Sequence, residues 1–190
     1  MSATFEERLN QILPRITSAE FLANKGLGNE IGFWIFDYPP ERELDLRAFV
    51  SGVVLPALAK ASIKAEEINL FELIIGLLEE RKLLDRAIEK QATKGDEAAM
   101  AALRPVLKED KLARRITTLV NVDELQLLIL TGIGAAYPML RTNTLLSALL
   151  PVMSSTPLLM FYPGRYDGFS LRLFNTLADD HYYRAFRLVE

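Results

Sequence analysis

Two apolar runs in the last third of the chain constrain its fold most strongly. Each run is short enough to be a buried β-strand, and each ends abruptly in residues rich in glycine and proline that include a tyrosine and an arginine. In an open α/β sheet, ligands and partners usually meet the loops that leave the carboxyl ends of the strands. We therefore expect function at a first segment, LQLLILTGIGAAYPMLR at 125–141, and a second segment, TPLLMFYPGRYDGFSLRLF at 156–174.

The rest of the chain alternates strand-like and helix-like patterns. Short runs rich in β-branched and aromatic residues predict strands, and longer stretches with helical spacing of apolar residues separate them. This alternation predicts an α/β fold in which a mostly parallel sheet of about five strands is flanked by helices. We expect one domain over residues 1–190. The predicted strands lie at 31–38, 66–71, 125–130, 158–162 and 182–189.

A charged block at 82–119 has no strand pattern and predicts a helical insertion between the second and third strands. Residues 81–115 contain ten basic and six acidic side chains. A solvated helical face is the favoured interpretation, and a docking surface for an acidic partner is the alternative. Because the chain as a whole has a net charge of −3 and an isoelectric point near 5.4, direct DNA binding is not expected.

The composition favours a reducing compartment. The chain has no cysteine, and its first sixteen residues include acidic side chains but no apolar core typical of a secretory signal. The uncharged stretch at 142–164 is interrupted by Pro151, Pro157 and a serine pair, so it predicts protein core rather than the roughly 20 apolar residues of a membrane span. We expect a cytoplasmic protein without membrane contact.

Known phosphate-binding motifs are missing or incomplete. No lysine follows a glycine, so the sequence has no Walker A motif. Gly132 and Gly134 follow a strand, as in a dinucleotide-binding loop, but the third glycine of that motif is replaced by Tyr137, and Pro138 follows it. The favoured interpretation is that the two glycines permit a sharp turn with positive φ.

Candidate acid–base and metal-binding groups are sparse. His181 is the only histidine and follows Asp179 and Asp180. Because metal sites usually draw ligands from separate elements, a turn is favoured over a metal site there. Asp37 and Asp167 are each expected near the carboxyl end of a strand and could share a cleft, but Asp167 followed by a glycine is typical of an ordinary turn.

Two arginines are the remaining polar groups of interest. Arg141 is spaced about one helical turn after the tyrosine of the first segment, and Arg165 lies in the second segment. Arginine can bind phosphate or carboxylate with two parallel hydrogen bonds, or it can pair internally with Asp37 or Asp167. Without a catalytic companion, we favour a structural or partner-binding role for both arginines.

The order of four stretches, FWIFDYPP, LTGIGAAYPMLR, LLMFYPGRYDGFSLRLF and DDHYYRAFRL, resembles the BrxB family, also known as DUF1788, of bacteriophage-exclusion (BREX) systems. The resemblance covers almost the whole chain. It implies a non-enzymatic assembly or adaptor component of a cytoplasmic anti-phage defence complex, without a cofactor. The partners that it implies are a PglZ-type phosphatase-like protein, the AAA+ ATPase BrxC and the methyltransferase PglX.

The resemblance supplies no catalytic residues. It supplies a set of loop residues that we expect to bind a partner or hold the loops together. An alternative hypothesis is a nucleotide- or metal-dependent enzyme or ligand-binding module that uses strand-end loops at 131–141 and 162–168. The expected partner-binding or structural residues are Gly132, Gly134, Tyr137, Pro138, Arg141, Tyr162, Pro163, Gly164, Arg165, Tyr166, Asp167 and Gly168.

Overall fold

The structure is a computed structural model that describes residues 3–24, 32–153, 155–179 and 185–190. It has α/β architecture, as expected. The α-helices among these residues are α1 Phe5–Ile16, α2 Ala19–Leu22, α3 Glu43–Phe49, α4 Leu55–Lys60, α5 Leu70–Glu80, α6 Leu84–Leu103, α7 Glu109–Leu119, α8 Ile133–Ala136 and α9 Thr142–Leu149. The strands are β1 Phe33–Tyr38, β2 Ala65–Asn69, β3 Leu127–Thr131, β4 Leu158–Tyr166, β5 Leu171–Leu173, β6 Leu177–Asp179 and β7 Phe186–Arg187.

The sheet is mixed rather than mostly parallel, which corrects the sequence-based expectation. Its main path runs in the order β2-β3-β4-β1-β7, and neighbours on this path pair in parallel. The carboxyl-terminal part of β4 then pairs with β5, and β5 pairs with β6, both in antiparallel fashion. Since the described residues form seven strands instead of about five, the sheet is also larger than predicted.

The apolar runs follow from burial of both faces of the sheet. Strands β1 and β3 are buried along their whole length, which is the usual state of strands covered by helices on both sides. One face packs against apolar side chains of α5 to α9. The opposite face packs against α1 to α4.

The charged block belongs to this layered structure. It lies between β2 and β3 and forms α6 and α7, whose buried residues include Leu103, Leu112 and Ile116. Helix α6 is kinked at Gly95, which has non-helical backbone angles inside an otherwise helical segment. Within the described ranges, no helix combines the length and apolar character needed to cross a membrane.

Two strands differ from their predicted extents in ways that matter for function. Strand β4 continues to Tyr166, so the second segment does not become a loop at 162 as expected. The predicted last strand at 182–189 is represented by Phe186–Arg187. Its residues 182–184 lie outside the described residues, as does Ile31 at the start of the first predicted strand.

Candidate functional site

The first segment turns sharply where β3 ends. Gly132 has φ of +71°, as expected for a glycine at a turn. An added Cβ at this position would lie 2.1 Å from Oδ1 of Asn69. Asn69 pairs with Thr131 across the neighbouring strands, and its side chain accepts hydrogen bonds from the amides of Phe71 and Glu72 at the start of α5. The turn and the beginning of α5 are therefore packed together.

Gly134 allows a different close contact. Its φ is not positive, and an added Cβ would lie 2.9 Å from Cε1 of Phe174 and 3.0 Å from Cγ of Pro163. Both side chains belong to the second segment. The structure thus brings the two segments into contact, with the chain's own side chains against the glycine that a dinucleotide-binding loop would leave open for a phosphate. Helix α8, which follows, is only four residues long.

Two aromatic rings extend the contact between the segments to the surface. The rings of Tyr137 and Phe174 meet edge to face, with their centroids 6.4 Å apart. Their side chains remain 41% and 37% exposed. The peptide bond between Tyr137 and Pro138 is cis. Because Pro138 is also exposed, this part of the first segment faces solvent.

Arg141 is not one helical turn after Tyr137 on a common helix, as the spacing suggested. Helix α8 ends before the tyrosine, and Arg141 is the N-cap residue of α9. Its carbonyl accepts hydrogen bonds from Thr144 and Leu145. Its guanidinium group is exposed and forms no ion pair with any residue that the structure describes.

In the second segment, strand β4 changes partner at a proline and a glycine. The strand pairs with β1 as far as Pro163 and with β5 from Gly164 onward. An added Cβ on Gly164 would lie 2.1 Å from the carbonyl oxygen of Arg172. This close approach of two backbones requires a glycine. Tyr162, Pro163 and Gly164 are all buried, so these expected site residues lie inside the fold.

Tyr166 is a second buried part of this segment. Its hydroxyl group lies 3.0 Å from the carbonyl oxygen of Gly168 and 2.7 Å from that of Ala185. Its amide donates to the carboxylate of Asp37 at 2.9 Å, and its carbonyl accepts from the guanidinium group of Arg187. The tyrosine therefore connects the end of β4 to β1 and to the end of the chain.

Asp37 is held by Arg8 rather than by either candidate arginine. The closest atoms of the two side chains are 2.6 Å apart, and the side chains are only 10% and 15% exposed, respectively. Arg8 also donates to the Asp37 carbonyl at 2.8 Å and lies 4.8 Å from the centre of the Phe36 ring. The carboxylate of Asp37 thus holds α1 against the end of the sheet and is not part of an open acid–base site.

Asp167 begins a tight turn, as expected. Its carboxylate accepts hydrogen bonds from the amides of Ser170 and Phe169 and from the Ser170 hydroxyl, at 2.7, 2.9 and 2.9 Å. These bonds, led by that from the Ser170 amide, lower the pKa of Asp167 to about 2. Because Asp37 and Asp167 each satisfy other groups, the hypothesis that they act together in a cleft is not supported.

The metal hypothesis rests on residues outside those described. Asp180 and His181 are not among the described residues. Within the described residues, no group of three or more histidine, cysteine, aspartate or glutamate side chains has the arrangement of a metal site.

Several residues of the site were missed by sequence reasoning. Asn69 and Phe174 fill the space beside the glycines, and Arg8 pairs with Asp37. Arg172 lies directly opposite Arg165 on the neighbouring strand. For Arg172 a signal existed, since it is the polar residue of the alternating triplet Leu-Arg-Leu. Asn69, Phe174 and Arg8 carried no such signal, because their contacts join residues that are far apart in the sequence.

Comparison with known proteins identifies the family. The family model described as "BREX protein BrxB" matches residues 66–188. A Bacillus cereus (strain H3081.97) protein named "BREX protein BrxB" is 39% identical over 188 residues, which cover 97% of each chain. An Escherichia coli O9:H4 (strain HS) protein of the same name is 44% identical over 184 residues, covering 97% of this chain and 91% of that protein. No solved structure matches the chain. The chain therefore belongs to the BrxB family of BREX proteins, and this membership gives it a role in a phage-defence system.

Proposed function

We propose that this protein is a non-enzymatic assembly adaptor of a BREX defence complex and that it binds other BREX proteins. The observation that carries the proposal is the close packing at the carboxyl ends of the parallel strands. Pro163 and Phe174 cover Gly134 at the position where an open α/β sheet usually admits a ligand. Since the two segments contact each other there, their outward-facing side chains are better placed to meet a protein than to surround a small substrate.

The outward-facing side chains have the composition of a protein interface. Tyr137, Phe174 and Arg165 are exposed, and the amide of Phe174 donates to the carbonyl of Pro163, two residues before Arg165. We call Tyr137, Arg165, Arg172 and Phe174 the signature face. Aromatic residues and arginine are enriched in protein interfaces, and tyrosine and arginine are frequent among the residues that dominate binding energy.

Burial separates the expected partner-binding or structural residues into two groups with different proposed roles. Tyr162, Gly164 and Tyr166 are buried, so we assign them to holding the strands and the chain end together. Tyr137 and Arg165 are exposed, so we assign them to partner binding. Arg141 is also exposed, but it lies at the start of α9. Its substitution therefore tests whether the interface extends to that helix.

Co-purification tests the proposal. The tagged protein is purified from cells that contain a complete BREX system, and the retained proteins are identified by mass spectrometry. We expect a PglZ-type protein, BrxC or PglX to be enriched with the wild type and lost with Tyr137→Ala and Arg165→Ala. An Arg86→Ala variant is the matched control, because Arg86 is an exposed arginine on α6.

Two results would contradict the adaptor proposal. One is a wild-type protein that elutes without enrichment of any BREX protein. The other is equal retention of partners by the wild type and by a protein with both Tyr137→Ala and Arg165→Ala. Circular dichroism spectra of every variant establish that the fold is intact, and the Arg141→Ala variant reports whether the interface extends to α9.

A further inference from the structure

The antiparallel pairing of β4 and β5 places two arginines directly opposite each other. Arg165 and Arg172 are partners in the strand register. Both are exposed, whereas the adjacent Tyr166 and Leu171 are buried. Directly opposed residues of an antiparallel pair project from the same face, with their Cβ atoms about 5 Å apart. The two guanidinium groups therefore occupy the solvent side of the same short ribbon.

Neither guanidinium group is neutralised within the part of the chain that the structure describes. Neither side chain forms a hydrogen bond or an ion pair there. Like charges directly opposite each other on neighbouring strands are destabilising. The arrangement thus lowers the stability of the free protein, and an anion bound between the two groups would offset their repulsion.

A cavity of about 320 Å³ lies at this ribbon. An aspartate lines it, but its carboxylate is occupied by the turn, where it accepts hydrogen bonds from two backbone amides and a serine hydroxyl. It forms no ion pair with either arginine. The two arginines at the cavity therefore have guanidinium N–H groups that donate no hydrogen bond within the described residues. Its lining residues are Arg165, Asp167, Ser170, Arg172 and Asn175.

We propose that this cavity binds a carboxylate of an acidic segment on a protein partner, an inference that rests on the proposed adaptor function. Arginine presents a planar fork of N–H donors that matches the two oxygens of a carboxylate. The Asn175 amide supplies further donors at the cavity wall. The cavity thus gives the signature face its charge preference, and the binding partner presents aspartate or glutamate to it.

The surroundings favour a protein over a nucleic acid. Phe169 lies in the turn between β4 and β5, and Phe174 directly follows β5. They are 69% and 37% exposed, respectively. Such apolar side chains beside arginines are typical of protein interfaces. A chain that grips nucleic acid usually has a concentrated basic face and a basic isoelectric point, whereas this chain has a net charge of −3 and an aspartate inside the cavity.

A peptide titration tests the proposal on the purified full-length protein. Fluorescence anisotropy measures binding of a labelled hexaglutamate peptide at low salt, with hexaglutamine as the neutral control. We expect Arg165→Gln and Arg172→Gln each to weaken hexaglutamate binding by about tenfold or more, because each removes charged hydrogen bonds. The matched control Arg86→Gln, an exposed arginine on α6, should bind as the wild type does.

Three results would overturn the proposal. They are equal binding of hexaglutamate and hexaglutamine, binding that Arg165→Gln and Arg172→Gln leave unchanged, and binding of single-stranded oligothymidylate without binding of hexaglutamate.

Urea unfolding of Arg165→Glu is an independent check. This variant should be at least as stable as the wild type, because a cross-strand pair of opposite charges replaces a pair of like charges. A clear loss of stability would contradict the account of the two arginines.

The outcomes separate this inference from the adaptor proposal. If hexaglutamate binds through the two arginines but no BREX protein co-purifies with the wild type, the cavity stands and the adaptor function fails. If BREX proteins co-purify equally with the wild type and with a protein carrying both Arg165→Gln and Arg172→Gln, the adaptor function stands and the role of the cavity fails.

Discussion

At the scale of residues, buried polar groups hold three elements together at the end of the sheet. The carboxylate of Asp37 accepts hydrogen bonds from the Arg8 guanidinium group and from the Tyr166 amide. These three residues come from α1, β1 and β4, so one carboxylate connects three elements. A buried ion pair of this kind contributes little net stability compared with apolar packing, but loss of one partner leaves an uncompensated charge.

Removal of Arg8 should therefore be strongly destabilising. We expect Arg8→Ala to lower the free energy of unfolding by roughly 3–5 kcal/mol, because the Asp37 carboxylate stays buried without its counter-ion. Urea unfolding measures the change. The control is Arg114→Ala, which breaks an exposed pair with Asp110 on α7 and should change stability by no more than about 0.5 kcal/mol. Similar small changes for both variants would contradict the role assigned to Arg8.

The turn at Asp167 should have a defined pH dependence. Its pKa is lowered from 3.8 to about 2 in the folded protein, so the ionised form stabilises the fold. This contribution is complete above the unfolded pKa and is lost as the pH falls through the folded pKa. We expect Asp167→Asn to be less stable than the wild type at neutral pH, with a difference that shrinks between about pH 4 and pH 2.

The measurement for Asp167 is the unfolding midpoint of both proteins over this pH range. The asparagine keeps an oxygen that can accept from the backbone amides, so the difference reports mainly on the carboxylate charge. A difference in stability that stays constant down to the lowest pH at which both proteins fold would contradict the assignment.

At the scale of elements, local patterns predicted the existence of the strands better than their ends. The buried runs of β1 and β3 were recognisable because both faces of each strand are apolar. The predicted end of β4 was wrong by four residues, because a proline followed by a glycine, as at Pro163 and Gly164, usually indicates the end of a strand. Here they mark a change of partner from β1 to β5, which depends on pairing with residues farther along the chain.

The candidate site, too, could be predicted only in its local features. The turn at Gly132 could be predicted from its sequence context, since glycine readily adopts positive φ. The contact of Gly134 with Phe174 could not, because it joins residues forty positions apart. The charged block was predicted to be helical, but helix periodicity alone does not show which sheet face Leu112 and Ile116 cover.

The ribbon of β4 and β5 gives an element-scale prediction. We expect Gly164→Ala to destabilise the protein by at least about 2 kcal/mol, because the new Cβ meets a backbone carbonyl oxygen that cannot rotate away. The control is Gly76→Ala on α5, where nothing lies within 4 Å. That change should stabilise the protein by roughly 0.5–1 kcal/mol, because alanine favours helix. Urea unfolding of both variants measures the effects, and equal stabilities would contradict the close backbone approach.

At the scale of the whole molecule, apolar packing on both faces of the sheet fixes the relative positions of the two segments. The side chains of the signature face stay exposed. The strand-end crevice is packed at Gly134, so we expect no small-molecule ligand there. ATP, NAD and magnesium ions should leave the unfolding midpoint unchanged in a thermal shift assay. A bound ligand at a hundred times its Kd would add about 2.7 kcal/mol of stability, so a clear upward shift would favour the alternative of a ligand-binding module.

Hydrogen–deuterium exchange of the protein alone and in its co-purified BREX complex shows directly whether partners bind at the signature face. We expect complex formation to slow exchange around Tyr137 and along residues 165–175, on the signature face. Exchange in the exposed charged part of α6 should stay the same. Slower exchange confined to α6 and α7, with the signature face unchanged, would contradict the account and assign partner binding to the charged helices instead.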